Sequence, residues 1–361
     1  MKRISILLLI LFTCVFSVQW MQAGKKPKFT TFNAPHAGKG AGQGTLPQGV
    51  VINGAITGYY VDAGNVNHGF IRDAHGTITT FDAPGAGTGA GQGTVVWGMN
   101  SEGATTGYYI DASGASHGFL RGRHGAFTAF DPTGAVATYA ADINPAGWIA
   151  GNYVDASSVA HNFLRAPDGT ITILEPPGAI STGTSTFYGL NPEGMFASFY
   201  LDASDVWHGH LRDRHGDITT YEAPEAGTGA YQGTYTCSVN PADYATGASL
   251  DASNVWHAYI RAPDGSFTTY DAPGAGTGSY QGTYCGAILN PAGATAATYF
   301  DSSGVAHGYL RAPDGSFTTF DAPGAGTGSG QGTYPDGIDP AGAIAGYYID
   351  ASGAAHGFLA E

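Results

Sequence analysis

One ten-residue phrase recurs seven times along the chain. It reads DASGAAHGFL near the C-terminus, and earlier DAGNVNHGFI, DASGASHGFL, DASSVAHNFL, DASDVWHGHL, DASNVWHAYI and DSSGVAHGYL. The anchoring histidines are His68, His117, His161, His208, His257, His307 and His356, spaced 44 to 50 residues apart. An aspartate precedes each by six positions: Asp62, Asp111, Asp155, Asp202, Asp251, Asp301 and Asp350. A period of this length means one supersecondary unit copied, each copy burying its apolar face only against its neighbours.

Each unit holds four short runs rich in Tyr, Phe, Ile, Val and Thr, the residues a half-buried sheet prefers. In the last unit the runs are Thr333 to Ile338, Ala343 to Ile349 and His356 to Leu359. Elsewhere a fourth run follows, such as Phe317 to Phe320. Turns such as Pro313-Asp314-Gly315 separate them, with Pro presetting φ and Gly taking positive φ. Composition agrees: 57 Gly and 19 Pro in 361 residues would break helices, while 21 Tyr and 18 Phe exclude a disordered chain.

Four antiparallel strands per repeat predict an all-β, seven-bladed β-propeller. A solenoid is the competitor, and the ends of the chain separate the two. An orphan strand, KFTTFNAP at Lys28 to Pro35, has no unit before it, and the last unit stops at its third strand. Pairing the N-terminal strand with the C-terminal three closes the ring and removes both edges.

The opening Met1-Lys2-Arg3 and the apolar run from Ile4 to Val18 read as a signal peptide, assigned to residues 1–23, with one propeller over 24–361. The expected location is secreted, extracellular or periplasmic, without membrane insertion after cleavage and with a monomeric state. Formal net charge is −14, which argues against nucleic acid and anionic membranes. Beyond the leader only Cys237 and Cys285 remain; they fall in equivalent strands of adjacent units, and a bridge needs their Cα atoms within about 7 Å.

The H-G-F triplet, the D-G turn after it and the I-N-x-x-G strand end resemble the extracellular HAF-type repeats of bacteria. The similarity spans nearly all of Lys28 to Glu361, and implies a secreted repeat protein with no particular chemistry. Three units depart from the triplet: His161-Asn162-Phe163, His208-Gly209-His210 and His257-Ala258-Tyr259.

A histidine with a carboxylate suggests general-base or metal chemistry. Seven equivalent copies around a ring instead point to structure: the aspartate caps an Asx-type turn, and the histidine bonds back to it. The loops offer few carboxylates against the six to eight oxygens calcium wants, so calcium is only a secondary expectation and no cofactor is assigned. The Gly-rich connections, such as APGAGTGAGQGT at Ala83 to Thr94, precede strands rather than helices, so they are not phosphate loops.

A specific site must break the symmetry. Two consecutive connections, Pro132 to Thr138 and Pro176 to Thr184, lack the Gly-rich form. Beside that sector Trp207 and Trp256 precede their histidines, and Tyr231 and Tyr280 replace glycines of the sister loops. With Asp205, Asn254, Gln232 and Gln281 they would suit a sugar, since rings stack on its apolar face and amides bond its hydroxyls. The competing expectation is that these aromatics merely cover loop backbone or pack between units. The D-A-S-x-x-x-H loops and the Gly-rich loops share one face, the expected binding face.

No nucleophile elbow, zinc signature or catalytic carboxylate pair is present. The expected function is therefore non-catalytic, with an extracellular glycan or an envelope protein as partner. The alternatives are a propeller lyase or hydrolase acting on polysaccharide or a metabolite, and a protein–protein scaffold.

Overall fold

The computed structural model describes residues 27–51, 53–183, 189–285 and 289–361. The expected signal segment lies outside the described residues. These form 28 strands and no helix. The strands fall into seven antiparallel groups, each running first to fourth from the axis outward. Unit one spans Gly44–Phe81 and unit two Gly93–Phe130. Unit three spans Ala135–Leu174, unit four Ser181–Tyr221 and unit five Gly233–Tyr270. Unit six spans Gly282–Phe320, and unit seven starts at Gly332 and ends at Ala360.

The orphan strand supplies the fourth strand of unit seven. Phe29–Phe32 pairs antiparallel with Ala355–Ala360, in the register Phe29↔Ala360 to Phe32↔Gly357. Phe29 packs on Phe358 and on Phe320 of unit six, with ring centroids 5.7 and 5.9 Å apart. The closure expected from the chain's two ends is therefore the one formed.

Neighbouring units meet through glycine. Gly44 at φ 118° bridges to Ala355, and a Cβ there would lie 2.0 Å from the Ala355 carbonyl oxygen. Only glycine permits that approach, which explains the Gln-Gly-Thr opening of the first strand. The following threonine ties units together: Thr45 Oγ1 accepts from Ala34 N at 2.9 Å, and Thr94, Thr234, Thr283 and Thr333 repeat the bond.

On the tight-turn face an asparagine closes the first turn of five units. Asn100, Asn144, Asn191, Asn240 and Asn290 each accept a backbone N–H of their own turn. Each also donates Nδ2 to the next unit's carbonyl at 3.1 to 3.5 Å, ending on Asp339. Unit one has Val51 at this place, so the run of amides stops at the seam where the ring closes.

The two cysteines are joined. Their Cα atoms lie 6.3 Å apart, and the bridge links the innermost strand of unit five to the segment that follows Gly282–Thr283 in unit six. They pack with Ala248 and Trp256.

Candidate functional site

The repeated Asp and His form a clasp in every unit. Asp62 Oδ1 accepts from Gly64 N and Val66 N, both at 2.8 Å, which is the expected Asx-type cap. The same geometry recurs at Asp111, Asp155, Asp202, Asp251, Asp301 and Asp350. Its other oxygen faces the histidine, at 3.5 Å for His68 and 3.2 Å for His161. The ring's far nitrogen meets a second acid fourteen residues on: Asp82, Asp131, Glu175, Glu222, Asp271 or Asp321. In unit seven Asn33 of the closing strand takes that role for His356.

This second acid was missed from the sequence. Its signal was the acid followed by Pro or Ala-Pro that ends the fourth strand of units one to six. A tyrosine of the second strand stacks on the histidine in six units, with centroids 4.9 to 5.1 Å apart. A ring bonded on both sides and stacked on its face is held, not poised to move a proton. The electrostatics follow: the hydrogen bond to Asp131 raises His117. The Ser113 hydroxyl and the Ala115 amide bring Asp111 down to about 2. Among the described residues no group of three or more His, Cys, Asp or Glu could hold a metal ion.

The expected ligand residues form two copies of one arrangement, one unit apart. Trp207 N donates to Gln232 O, and Tyr231 N to Asp205 O at 2.5 Å. Trp256 N donates to Gln281 O, and Tyr280 N to Asn254 O at 2.6 Å. Gln232 Nε2 joins the copies by donating to Asn254 Oδ1 at 2.9 Å.

Within each copy the residues differ in what they can offer. Tyr231 is 58% exposed and Tyr280 63%. Both sit at left-handed φ, 62° and 60°, where the sister loops carry Gly42, Gly91 and Gly330. Asp205 and Asn254 are left-handed too. The glutamines brace their loops: each Oε1 accepts a loop amide, from Gly229 or Gly278, as Gln43, Gln92 and Gln331 do elsewhere.

The tryptophans open the third strands of units four and five and are half-buried among neighbouring rings. Trp207 packs on Phe199 and Tyr235, and Trp256 on Tyr235 and Tyr284. Their direction was open in the sequence because it depends on Tyr235 and Tyr284 of the next unit's first strand. The tryptophan rings are thus packed against other rings, while the two tyrosine rings face solvent.

Concave spaces open on the opposite, tight-turn face. A cleft of about 380 Å³ between units five and six is lined by Tyr244, Ile260, Pro291, Arg311 and Pro313. A second space of about 210 Å³ lies at the axis, inside the asparagine run. Tyr244, 40% exposed, was missed; its signal was the alanine that Ala104, Ala294 and Ala343 place at the same step.

No family model matches the chain, and no curated protein matches it. Solved structures do. The β-propeller domain of the Trilobed protease from Pyrococcus furiosus matches with a TM-score of 0.57 at 9% identity, over 87% of this chain and 95% of that one. The BP39L lectin from Burkholderia pseudomallei matches with a TM-score of 0.54 at 10% identity, over 85% and 92%. At these identities the similarity shows the β-propeller fold.

Proposed function

We propose that this chain is a secreted, non-catalytic β-propeller that binds extracellular carbohydrate on its long-loop face, with Tyr231 and Tyr280 as the stacking platforms. One observation carries the reading. Two tyrosines occupy left-handed positions that sister loops fill with glycine, and both rings face solvent. A non-glycine residue there costs about 1–2 kcal/mol, and an exposed ring returns little of it through burial. Backbone strain without a folding return is a mark of function.

A tyrosine ring offers an apolar face and a hydroxyl, which suits the faces and edges of a sugar. Asp205 and Asn254 accept the Tyr231 and Tyr280 amides through their carbonyls and fix each platform's corner. A lectin among the structures of this fold is compatible with the reading and adds nothing about residues.

The experiment is a glycan array followed by titration with the polysaccharides that score. Binding should fall at least tenfold in the Tyr231→Gly/Tyr280→Gly variant, which keeps the loop conformation. Equal binding by that variant would end the proposal, as would an array without hits. Release of shortened products from a bound polysaccharide would move the chain to the enzymatic alternative.

A further inference from the structure

Unit five breaks the repeat twice in succession on the tight-turn face. Its first turn reads Asn240-Pro241-Ala242-Asp243-Tyr244, where unit six reads Asn290-Pro291-Ala292-Gly293-Ala294. Asp243 is engaged with unit four, its Oδ1 accepting from Asn191 Nδ2 at 3.2 Å. Tyr244 lines the cleft of about 380 Å³ between units five and six. At the same step of the turn Trp148 and Met195 pack on buried clusters. The Tyr244 ring is exposed and meets no other ring among the described residues.

The opposite wall belongs to unit six. Arg311 ends its third strand, with the guanidinium carbon 4.7 Å from the centre of the Tyr270 ring of unit five. That stacking holds the guanidinium in place. The sister residues Arg72, Arg165, Arg212 and Arg261 each donate Nη1 to the carbonyl of the next residue. Arg311 makes no hydrogen bond and no ion pair among the described residues. Asp314, in the turn that follows, accepts from Ser316 N at 2.9 Å and from Ser316 Oγ at 2.6 Å instead. Ile260, Leu289 and the rings of Pro291 and Pro313 make the rest of the lining apolar. The Asn240 amide is spent on its own turn and on the Asn290 carbonyl. The hydroxyls of Tyr244 and Thr268 have no hydrogen bond among the described residues.

We propose that this cleft binds a monocyclic aromatic carboxylate, with its carboxylate on Arg311 and its ring against Tyr244 and the two prolines. A guanidinium presents a planar fork of N–H donors that matches a carboxylate. The volume lies near the low end of small-molecule sites, about 300–1,000 Å³, which suits one ring and its substituents. Flat apolar walls favour a flat apolar body. A sugar acid would bring several hydroxyls to a wall with two free partners, and burying the rest unpaired is costly. The chain carries a formal charge of −14, so an anion gains nothing from the general field and must be held locally.

The test is calorimetry with benzoate, against benzyl alcohol as its neutral counterpart and glucuronate as the sugar acid. Benzoate should bind one per chain and about tenfold more tightly than either, as one charge-assisted pair allows. Tyr244→Ala restores the residue of Ala104, Ala294 and Ala343, so the turn is kept, and benzoate should weaken severalfold. Arg311→Gln should bring benzoate and benzyl alcohol within twofold of each other, with folding checked by its melting curve. Arg311→Lys should recover part of the loss, since the charge returns without the fork. If the Arg311 variants fail to fold, Tyr244→Ala decides alone. Equal benzoate binding by wild type and Tyr244→Ala would put the ligand elsewhere and overturn the proposal. So would no benzoate binding, or glucuronate binding as tightly as benzoate.

Discussion

His210 Nε2 lies 3.4 Å from Asn162 Oδ1, across the interface between units four and three. Each residue is a departure from the H-G-F triplet, one replacing its glycine and the other its phenylalanine. The two departures are partners. His210 is fully buried, and burial brings its pKa down to about 3.

The unfolded chain binds a proton at this histidine near pH 6.5 and the folded one does not, so stability falls as pH drops from 6.5 towards 3. The loss between pH 6.5 and 4 should be about 3 kcal/mol. Urea melts across that range check it, and His210→Phe should flatten this part of the profile. The Asn162→Gly/His210→Phe double variant should be more stable than the sum of the singles allows, by about 1 kcal/mol. Strict additivity would show that the pair is not coupled.

The tyrosine platforms should separate stability from binding. Tyr231→Gly and Tyr280→Gly each relieve a left-handed tyrosine and should raise stability by about 1 kcal/mol while sugar binding falls. Paired denaturant melts and glycan titrations measure both. A loss of stability in either variant would mean that the ring packs more than it presents.

The Cys237–Cys285 bridge closes a sequence separation of 48 residues between units five and six. On the chain-entropy account its removal should cost about 4 kcal/mol. Guanidinium melts of the Cys237→Ala/Cys285→Ala variant, oxidised and reduced wild type beside it, give the value. The reduced protein should keep its strand content by circular dichroism.

Ring closure should depend on Phe29. Its ring joins the N-terminal strand to Phe358 and to Phe320 of unit six. Phe29→Ala should cost about 3 kcal/mol and expose the edge of the last strand. Hydrogen exchange should show faster opening first at Ala355–Ala360. Uniform acceleration over all units would contradict a seam.

The ring was readable because every unit states the same strand and turn chemistry, and because an orphan strand began what the last unit lacked. The clasp was half readable. Asp62 and His68 stand in one phrase, but Asp82 belongs to the next turn, and only pairing of the third and fourth strands brings it to the histidine. Phe-to-Tyr changes were readable as substitutions and not as pairs. Tyr221 meets Tyr259 at 3.2 Å, and Tyr270 meets Tyr309 at 3.5 Å, across two interfaces whose sister contacts are phenylalanines. The tight-turn clefts were out of reach, since they lie between units and depend on how far apart the units stand.

The run of asparagine amides has a consequence for ancestry. Units three to six each carry both halves of the link, a donor for the unit ahead and a carbonyl for the unit behind. A duplicated unit therefore arrives with its interface already made, and the ring can lengthen without inventing a contact. Val51 and Asp339 stand at the two junctions, unit one to two and unit seven to one, that this link does not span among the described residues, so those joints of the circle rest on other contacts.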